Sequence, residues 1–136
     1  MSEEERRVHA AALQLRELLN EKCPRCGAAF LDFTACCALT CHRCNCAFCA
    51  WCLRDCGGDA HRHVATCVRN LAPGRSVFSS PELVEQGRRV RHSEAAITFL
   101  SALPRRVAAQ VAAAAQRELV DVGLAEVALL FTDPML

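Results

Sequence analysis

The sequence contains no tyrosine and a single lysine, Lys22, among its sixteen basic residues. Aromatic residues amount to 5%, too few to build the stacking platforms that hold single-stranded nucleic acid. Charge points the same way. The formal net charge is only +1, so the clusters Arg88-Arg89-Val90-Arg91 and Arg105-Arg106 read as solvated helix faces and not as a phosphate-binding patch. No apolar run approaches the roughly 18 residues that a membrane-spanning helix needs. The opening Ser2-Glu3-Glu4-Glu5-Arg6-Arg7 has no apolar signal-peptide core. An intracellular protein, cytoplasmic or nuclear, is therefore expected, in a compartment that keeps thiols reduced. Gly-rich phosphate loops, serine triads and paired-carboxylate sites are also missing. The shortage of lysine goes with an excess of alanine and reads as the mark of a GC-rich coding sequence, in preference to protection from lysine modification.

Cysteine is the opposite case. Ten of the eleven cysteines lie between Cys23 and Cys56, and Cys67 closes the group. Three of the pairs are Cys-x2-Cys: Cys23 with Cys26, Cys41 with Cys44, and Cys49 with Cys52. In a reducing compartment, with an odd cysteine count, such pairs read as metal ligands and not as disulfides. A tight turn aims both sulfurs of a pair at one ion. Pro24 fixes one backbone angle of the first turn, and Gly27 and Asn45 suit the left-handed position that such knuckles require. Cys23, Cys26, Cys41 and Cys44 then form a closed, tetrahedral, structural site.

A second site takes Cys49, Cys52, Cys67 and one histidine. His63 lies four residues before Cys67, on one face of a helix expected to start at Asp59; His61, reaching in from the preceding turn, is the alternative. Histidine among three separate knuckles favours two zinc ions over an iron–sulfur cluster. Seven thiolates, one histidine and two zinc ions bring the net charge to about −2. Arg25, Arg43, Arg54 and Arg62 lie close enough in sequence to offset the thiolate charge. Cys36, Cys37, Cys46 and Cys56 are left over. Cys46 and Cys56 read as small buried hydrophobes or alternative ligands. Cys36 reads either as such a hydrophobe or as a nucleophile, the latter needing a thiolate supported by its surroundings, with His42 or Arg43 as sources.

The order Cys-x2-Cys, nine residues, Cys36, four residues, Cys-x2-Cys, four residues, Cys-x2-Cys, then histidine and cysteine resembles the last zinc module of RING-between-RING ubiquitin ligases and the related in-between-RING module. Phe48-Cys49-Ala50-Trp51-Cys52 is similar to that family's Phe-Cys-Trp-x-Cys segment, and Leu39 stands where the family often has methionine. The resemblance covers Cys23 to Cys67. It implies that Cys36 is the catalytic cysteine, which takes ubiquitin as a thioester from a ubiquitin-conjugating enzyme and passes it to a lysine amine. It also implies ubiquitin and the conjugating enzyme as partners. Three features depart from the pattern. Ala38 occupies the place of the family's general-base histidine, the Cys52-to-histidine spacing is longer and holds Cys56, and the residues before Cys23 contain no RING. The set Cys49, Cys52, His63 and Cys67 is also similar to small ubiquitin-binding zinc fingers, which implies a non-catalytic interaction module.

Around this module the chain reads as helical. The expected organisation is an N-terminal helix over 1–22, a zinc module over 23–71, a linker over 72–80 and a helical region over 81–136. The fold class is a small zinc-stabilised α+β module, short hairpins around two zinc sites, with mostly α structure outside it. Ser2 caps the first helix, and Val8, Ala12, Leu15 and Leu19 form its apolar stripe. Short apolar pieces at Ala28–Phe33, Ala38–Thr40 and Ala47–Phe48 suit strands. Ser80-Pro81 starts a helix with Leu83, Val90, Ile97, Leu100 and Leu103 as its stripe. Pro104 starts another, with Val107, Val111, Ala115, Leu119 and Val122 as its face and Gly123 as its end. Val127–Phe131 fits a helical turn or a strand. His9 and His92 read as solvated, and Trp51 as a core plug beside the zinc. The C-terminal helices are the expected surface for a protein partner.

Overall fold

A computed structural model describes residues 1–30 and 35–132. The chain divides into two compact units: Met1–Asn20 together with Arg89–Leu136, and Glu21–Arg88. The elements in order are α1 (Glu3–Leu18), β1 (Ala38–Thr40), β2 (Ala47–Cys49), α2 (His61–Thr66), a 3-10 turn (Pro73–Arg75), α3 (Pro81–Ser101), α4 (Arg105–Ala114), α5 (Gln116–Asp121) and α6 (Ala125–Thr132). The architecture is mostly helical with one small antiparallel sheet. Among the described residues no helix is long and apolar enough to cross a membrane.

In the first unit, α1 begins as its residues dictate. Ser2 is extended and its hydroxyl accepts from the Glu5 N–H at 3.1 Å, while Glu3, Glu4 and Glu5 face the positive end of the helix dipole. The helix stops at Leu18, short of the expected residue 22. Residues 21–23 are diverted into a tight pairing: Phe30 N–H donates to Glu21 O at 3.2 Å and Cys23 N–H to Ala28 O at 2.8 Å. Ala11, Ala12, Leu15 and Leu19 are buried with Ala96, Leu100, Val111 and Leu119 in one apolar core. The expected single helix after Pro104 is broken at Ala115, whose backbone leaves helical geometry (φ −101°, ψ 11°). Arg16 from α1 donates to the Ala114 carbonyl at 3.0 Å and pairs with Glu118 at 3.0 Å, so a cation meets the end of α4. The buried face nevertheless continues across the break through Val111, Ala115 and Leu119. Gly123, at φ +82°, ends α5 as expected, and Val127–Phe131 is helical, within α6.

The second unit holds the sheet. β1 pairs antiparallel with β2 in the register Ala38 to Cys49, Leu39 to Phe48 and Thr40 to Ala47. Ala29 makes an isolated bridge to Lys22; the rest of the strand expected over Ala28–Phe33 falls partly outside the described residues. The core consists mainly of small side chains, Cys37, Ala47, Cys49, Ala60, Cys67 and Ala72, around Trp51 and Val64. Trp51 is only 2% exposed, a core plug as expected. A Cβ on Gly87 would lie 3.0 Å from two atoms of the Trp51 ring, so the absence of a side chain there lets the start of α3 lie against the indole.

The stretch 72–80, expected to be a linker, is built into this unit. Ala72 is buried. The Asn70 amide donates to Val64 O at 2.9 Å and to Ser76 O at 3.1 Å, and its oxygen accepts from Ala72 N–H at 2.8 Å. Cys37 N–H donates to Val77 O at 2.7 Å and Ser79 N–H to Ala35 O at 2.9 Å, which sets Cys36 opposite Phe78 in a strand-like bridge. Ser80 and Pro81 start α3, with the Ser80 hydroxyl accepting from Leu83 N–H at 3.3 Å. The buried residues of that helix run Val84, His92, Ala96 and Leu100, a spacing of multiples of four. Val90 is half exposed. His92, expected in solvent, is 2% exposed because it sits on this buried stripe.

Candidate metal centre

Both cysteine-rich constellations lie in Glu21–Arg88. Cys23, Cys26, Cys41 and Cys44 form one, and Cys49, Cys52, His63 and Cys67 the other; in each, the candidate ligand atoms all lie within 4.8 Å of one another. The local turns that aim these sulfurs are alike. Gly27 N–H donates to Cys23 O at 3.0 Å, Asn45 N–H to Cys41 O at 2.9 Å, and Leu53 N–H to Cys49 O at 2.8 Å. The residue after each second cysteine is left-handed: Gly27 at φ +76°, Asn45 at +60° and Leu53 at +59°. The first two were legible from residue type. Leu53 was not, because leucine ordinarily avoids this region.

The geometry fits zinc. A tetrahedral ion with Zn–S bonds of about 2.3 Å places its sulfurs about 3.8 Å apart. Cys23 Sγ and Cys44 Sγ are 3.6 Å apart, and Cys26 Sγ and Cys41 Sγ 3.7 Å. In the second constellation Cys52 Sγ is 3.2 Å from His63 Nε2. Backbone N–H groups also point at the sulfurs: Arg25 N–H to Cys23 Sγ and Trp51 N–H to Cys49 Sγ, each at 3.4 Å. Burial opposes ionisation of Cys23, but the backbone N–H groups of Cys26 and Arg25 and the neighbouring thiols outweigh it and lower the pKa to about 6. At Cys49 burial dominates and holds the thiol neutral. Sulfurs this close cannot all ionise without a cation between them. The two sets could therefore hold two zinc ions.

The choice between the two histidines is geometric. His63 stands with Cys49, Cys52 and Cys67. The expected helix through Cys67 is shorter than its sequence suggests: α2 ends at Thr66, and Cys67 is extended (φ −66°, ψ 126°), turning its sulfur back to the site. α2 starts at His61, two residues later than expected, with Ala60 and not Asp59 at its N-cap and no side-chain cap bond; the Asp59 carboxylate, one residue earlier, accepts from His61 N–H at 3.1 Å. Of the four arginines expected beside the thiolates, Arg25 makes a two-pronged pair with Asp55, both contacts at 3.0 Å. Arg43, Arg54 and Arg62 are exposed.

The spare cysteines separate clearly. Cys37 and Cys46 are fully buried, and burial, more than any neighbour, pushes each thiol up to about 11. Burial also raises Cys56. Cys36 is half-buried and stands outside both ligand sets. Its Sγ lies 3.7 Å from Ala38 O and 3.9 Å from His61 Nε2. His61 Nδ1 in turn lies 2.5 Å from Asp59 Oδ1, and that contact lowers the Asp59 pKa. The pairing of Cys36 with His61 carries no local sequence signal; His42, expected as a support for a Cys36 thiolate, is an exposed residue of the β1–β2 turn. Cys36 also lines an open groove of about 730 Å³, with Ala28, Phe30, Leu39, Phe48 and Arg43 among its walls.

Comparison of the chain with protein-family models, with curated proteins and with solved structures returns no match.

Proposed function

We propose that Glu21–Arg88 is a zinc-stabilised module of the RING-between-RING type that takes part in ubiquitin transfer, with Cys36 as its thioester-forming nucleophile. The observation that carries this reading is the isolation of Cys36. Eight other candidate ligands gather into two sets whose ligand atoms lie within 4.8 Å of one another, while the Cys36 sulfur, half-buried outside both like that of Cys56, stands beside a histidine and on the wall of a largely apolar groove. Zinc, when bound, supplies cross-links and a compact frame. The chain's own residues do the rest. Bonds from Val77 and Ala35 fix the backbone on either side of Cys36, and the groove accommodates an extended acyl tail whose terminal carbonyl meets the sulfur. The missing histidine at Ala38 does not remove the chemistry, because a histidine reaches the sulfur from α2.

The test is a ubiquitin-conjugating enzyme charged with ubiquitin, in the presence of a supplied RING. A reducible adduct should form on the chain and disappear in Cys36→Ser. No adduct with any conjugating enzyme defeats the reading. A second, non-catalytic reading is favoured by the exposure of Leu129 (63%) and Leu130 (45%) on α6, an apolar pair suited to a protein partner. On that reading Cys36→Ser leaves partner binding and zinc content unchanged.

A further inference from the structure

The two ligand sets differ in how far solvent reaches their sulfurs. In the first, only Cys23 is buried; Cys41 and Cys44 are half-buried and Cys26 is exposed. In the second, Cys49 and Cys67 are both buried, and neither Cys52 nor His63 is exposed. The open groove of about 730 Å³ repeats the asymmetry: Cys23 and Cys41 are among its described walls, and no ligand of the second set is. Donor chemistry adds to it. Four thiolates around a dication keep more negative charge on their sulfurs than three thiolates and an imidazole do. A thiolate is the form of cysteine that oxidants attack, and exposure decides which one they reach.

Within the first set two sulfurs already stand together for closure. Cys26 Sγ lies 3.7 Å from Cys41 Sγ. Cys23 Sγ, 3.6 Å from Cys44 Sγ, is shielded by burial and by the Arg25 N–H at 3.4 Å. We infer that the first set is a redox switch, in which a peroxide joins Cys26 to Cys41 and releases one zinc ion while the second set keeps its own. The inference rests on the zinc reading of both sets, and neither on Cys36 as a nucleophile nor on ubiquitin. The Cys26 thiolate attacks one peroxide oxygen. The O–O bond breaks, Cys26 becomes a sulfenic acid, and the departing hydroxide takes up a proton as water. The Cys41 thiolate then attacks the Cys26 sulfur. An S–S bond forms, the S–O bond breaks, and the second hydroxide takes up a proton as water. The two sulfurs give up two electrons, the peroxide gains them, and the products are one disulfide and two waters. The sulfurs close from 3.7 Å to about 2 Å. Cys23 and Cys44 alone do not complete a tetrahedral site, so the ion leaves. The walls of the groove at Cys23 and Cys41 thus answer to the oxidant, while β2 and α2 stay held by the second set and by the core around Trp51 and Val64.

The probe is sub-stoichiometric hydrogen peroxide added to the zinc-loaded full chain, followed by native mass spectrometry and by alkylation with peptide mapping. One of the two zinc ions should be lost. Mapping should find Cys26 joined to Cys41, Cys23 and Cys44 open to alkylation, and Cys49, Cys52 and Cys67 protected. Dithiothreitol with fresh zinc should restore the lost ion. Cys36→Ser and Cys56→Ser should lose zinc as the parent does, because neither residue belongs to the set. Loss of both ions together, alkylation of Cys49 or Cys67 before Cys23, or a disulfide that leaves out Cys26 or Cys41 would each overturn the switch. So would zinc retained in Cys36→Ser, which would place the entry of the oxidant at Cys36, or a loss that dithiothreitol does not reverse. The two claims fail differently. A chain that holds no zinc before the oxidant is added removes the zinc reading and the switch with it; a chain that holds two ions and keeps both under peroxide removes the switch alone.

Discussion

The two units of this chain use different materials for the same task. In Met1–Asn20 with Arg89–Leu136, helices close on an apolar core in which Leu15, Leu100, Val111 and Leu119 are fully buried. Each such side chain contributes about 1.5–3 kcal/mol by leaving water. In Glu21–Arg88 the core is built largely of cysteine and alanine around Trp51, Phe48 and Val64. A core of that kind in a unit below about 70–80 residues rarely supplies more than about 3–5 kcal/mol. Zinc held by the two candidate ligand sets would make up the difference, since structural zinc contributes about 10–16 kcal/mol of folding free energy in small zinc peptides at neutral pH. A core with few large side chains would then depend on its thiols, and a core built of leucine and valine would not.

The largest expected effect tests that dependence directly. A strong chelator should unfold Glu21–Arg88, seen as a red shift of Trp51, the only tryptophan in the chain. The amides of α4 and α6, whose core contains no cysteine, should keep their hydrogen-exchange protection. Equal loss in both regions would erase the contrast. Acid should act in the same direction as the chelator. The folded-state pKa of Cys23 is lowered from 9.0 to about 6, so its contribution is complete above the unfolded value and is lost as pH falls through about 6. Zinc release followed with a colorimetric indicator should accelerate through that window.

A smaller effect is expected from the other side of the comparison. Leu119→Ala removes a fully buried side chain from the helical core and should cost about 2–5 kcal/mol in denaturant unfolding. The chain should still carry two zinc ions by mass spectrometry. The smallest effect probes the packing of the zinc unit. Gly87→Ala places a methyl 3.0 Å from the Trp51 ring; the overpacking cost of about 1–3 kcal/mol exceeds the helix-propensity gain of about 1 kcal/mol. A net loss of about 1 kcal/mol, with an altered Trp51 emission, is expected. A gain in stability would show that the indole gives way freely.

Much of the metal centre was legible because its signals are local. A Cys-x2-Cys turn sets its own geometry, and Gly27 and Asn45 announced the left-handed positions. The capping of α1 by Ser2 and the end of α5 at Gly123 were readable for the same reason. Less was visible where distant chain meets chain. The segment 72–80 looked like a linker because it has Pro, Gly and Ser, yet Asn70 and the bonds from Val77 and Ser79 stitch it to residues 35–37 and to α2. His92 looked solvated among arginines, but the four-residue spacing of Val84, Ala96 and Leu100 carries it inward.

The spacing of the cysteines, read alone, pointed to the two candidate ligand sets and left His61 and His63 as rivals for one place. In the folded chain His63 stands with Cys49, Cys52 and Cys67, and His61 lies beside a cysteine 25 residues away in sequence. Ligand turns are short-range and encode themselves. The meeting of Cys36 with His61 depends on how α2 is anchored and on where the 76–79 segment holds Cys36, and contacts of that range exist only once the chain has closed.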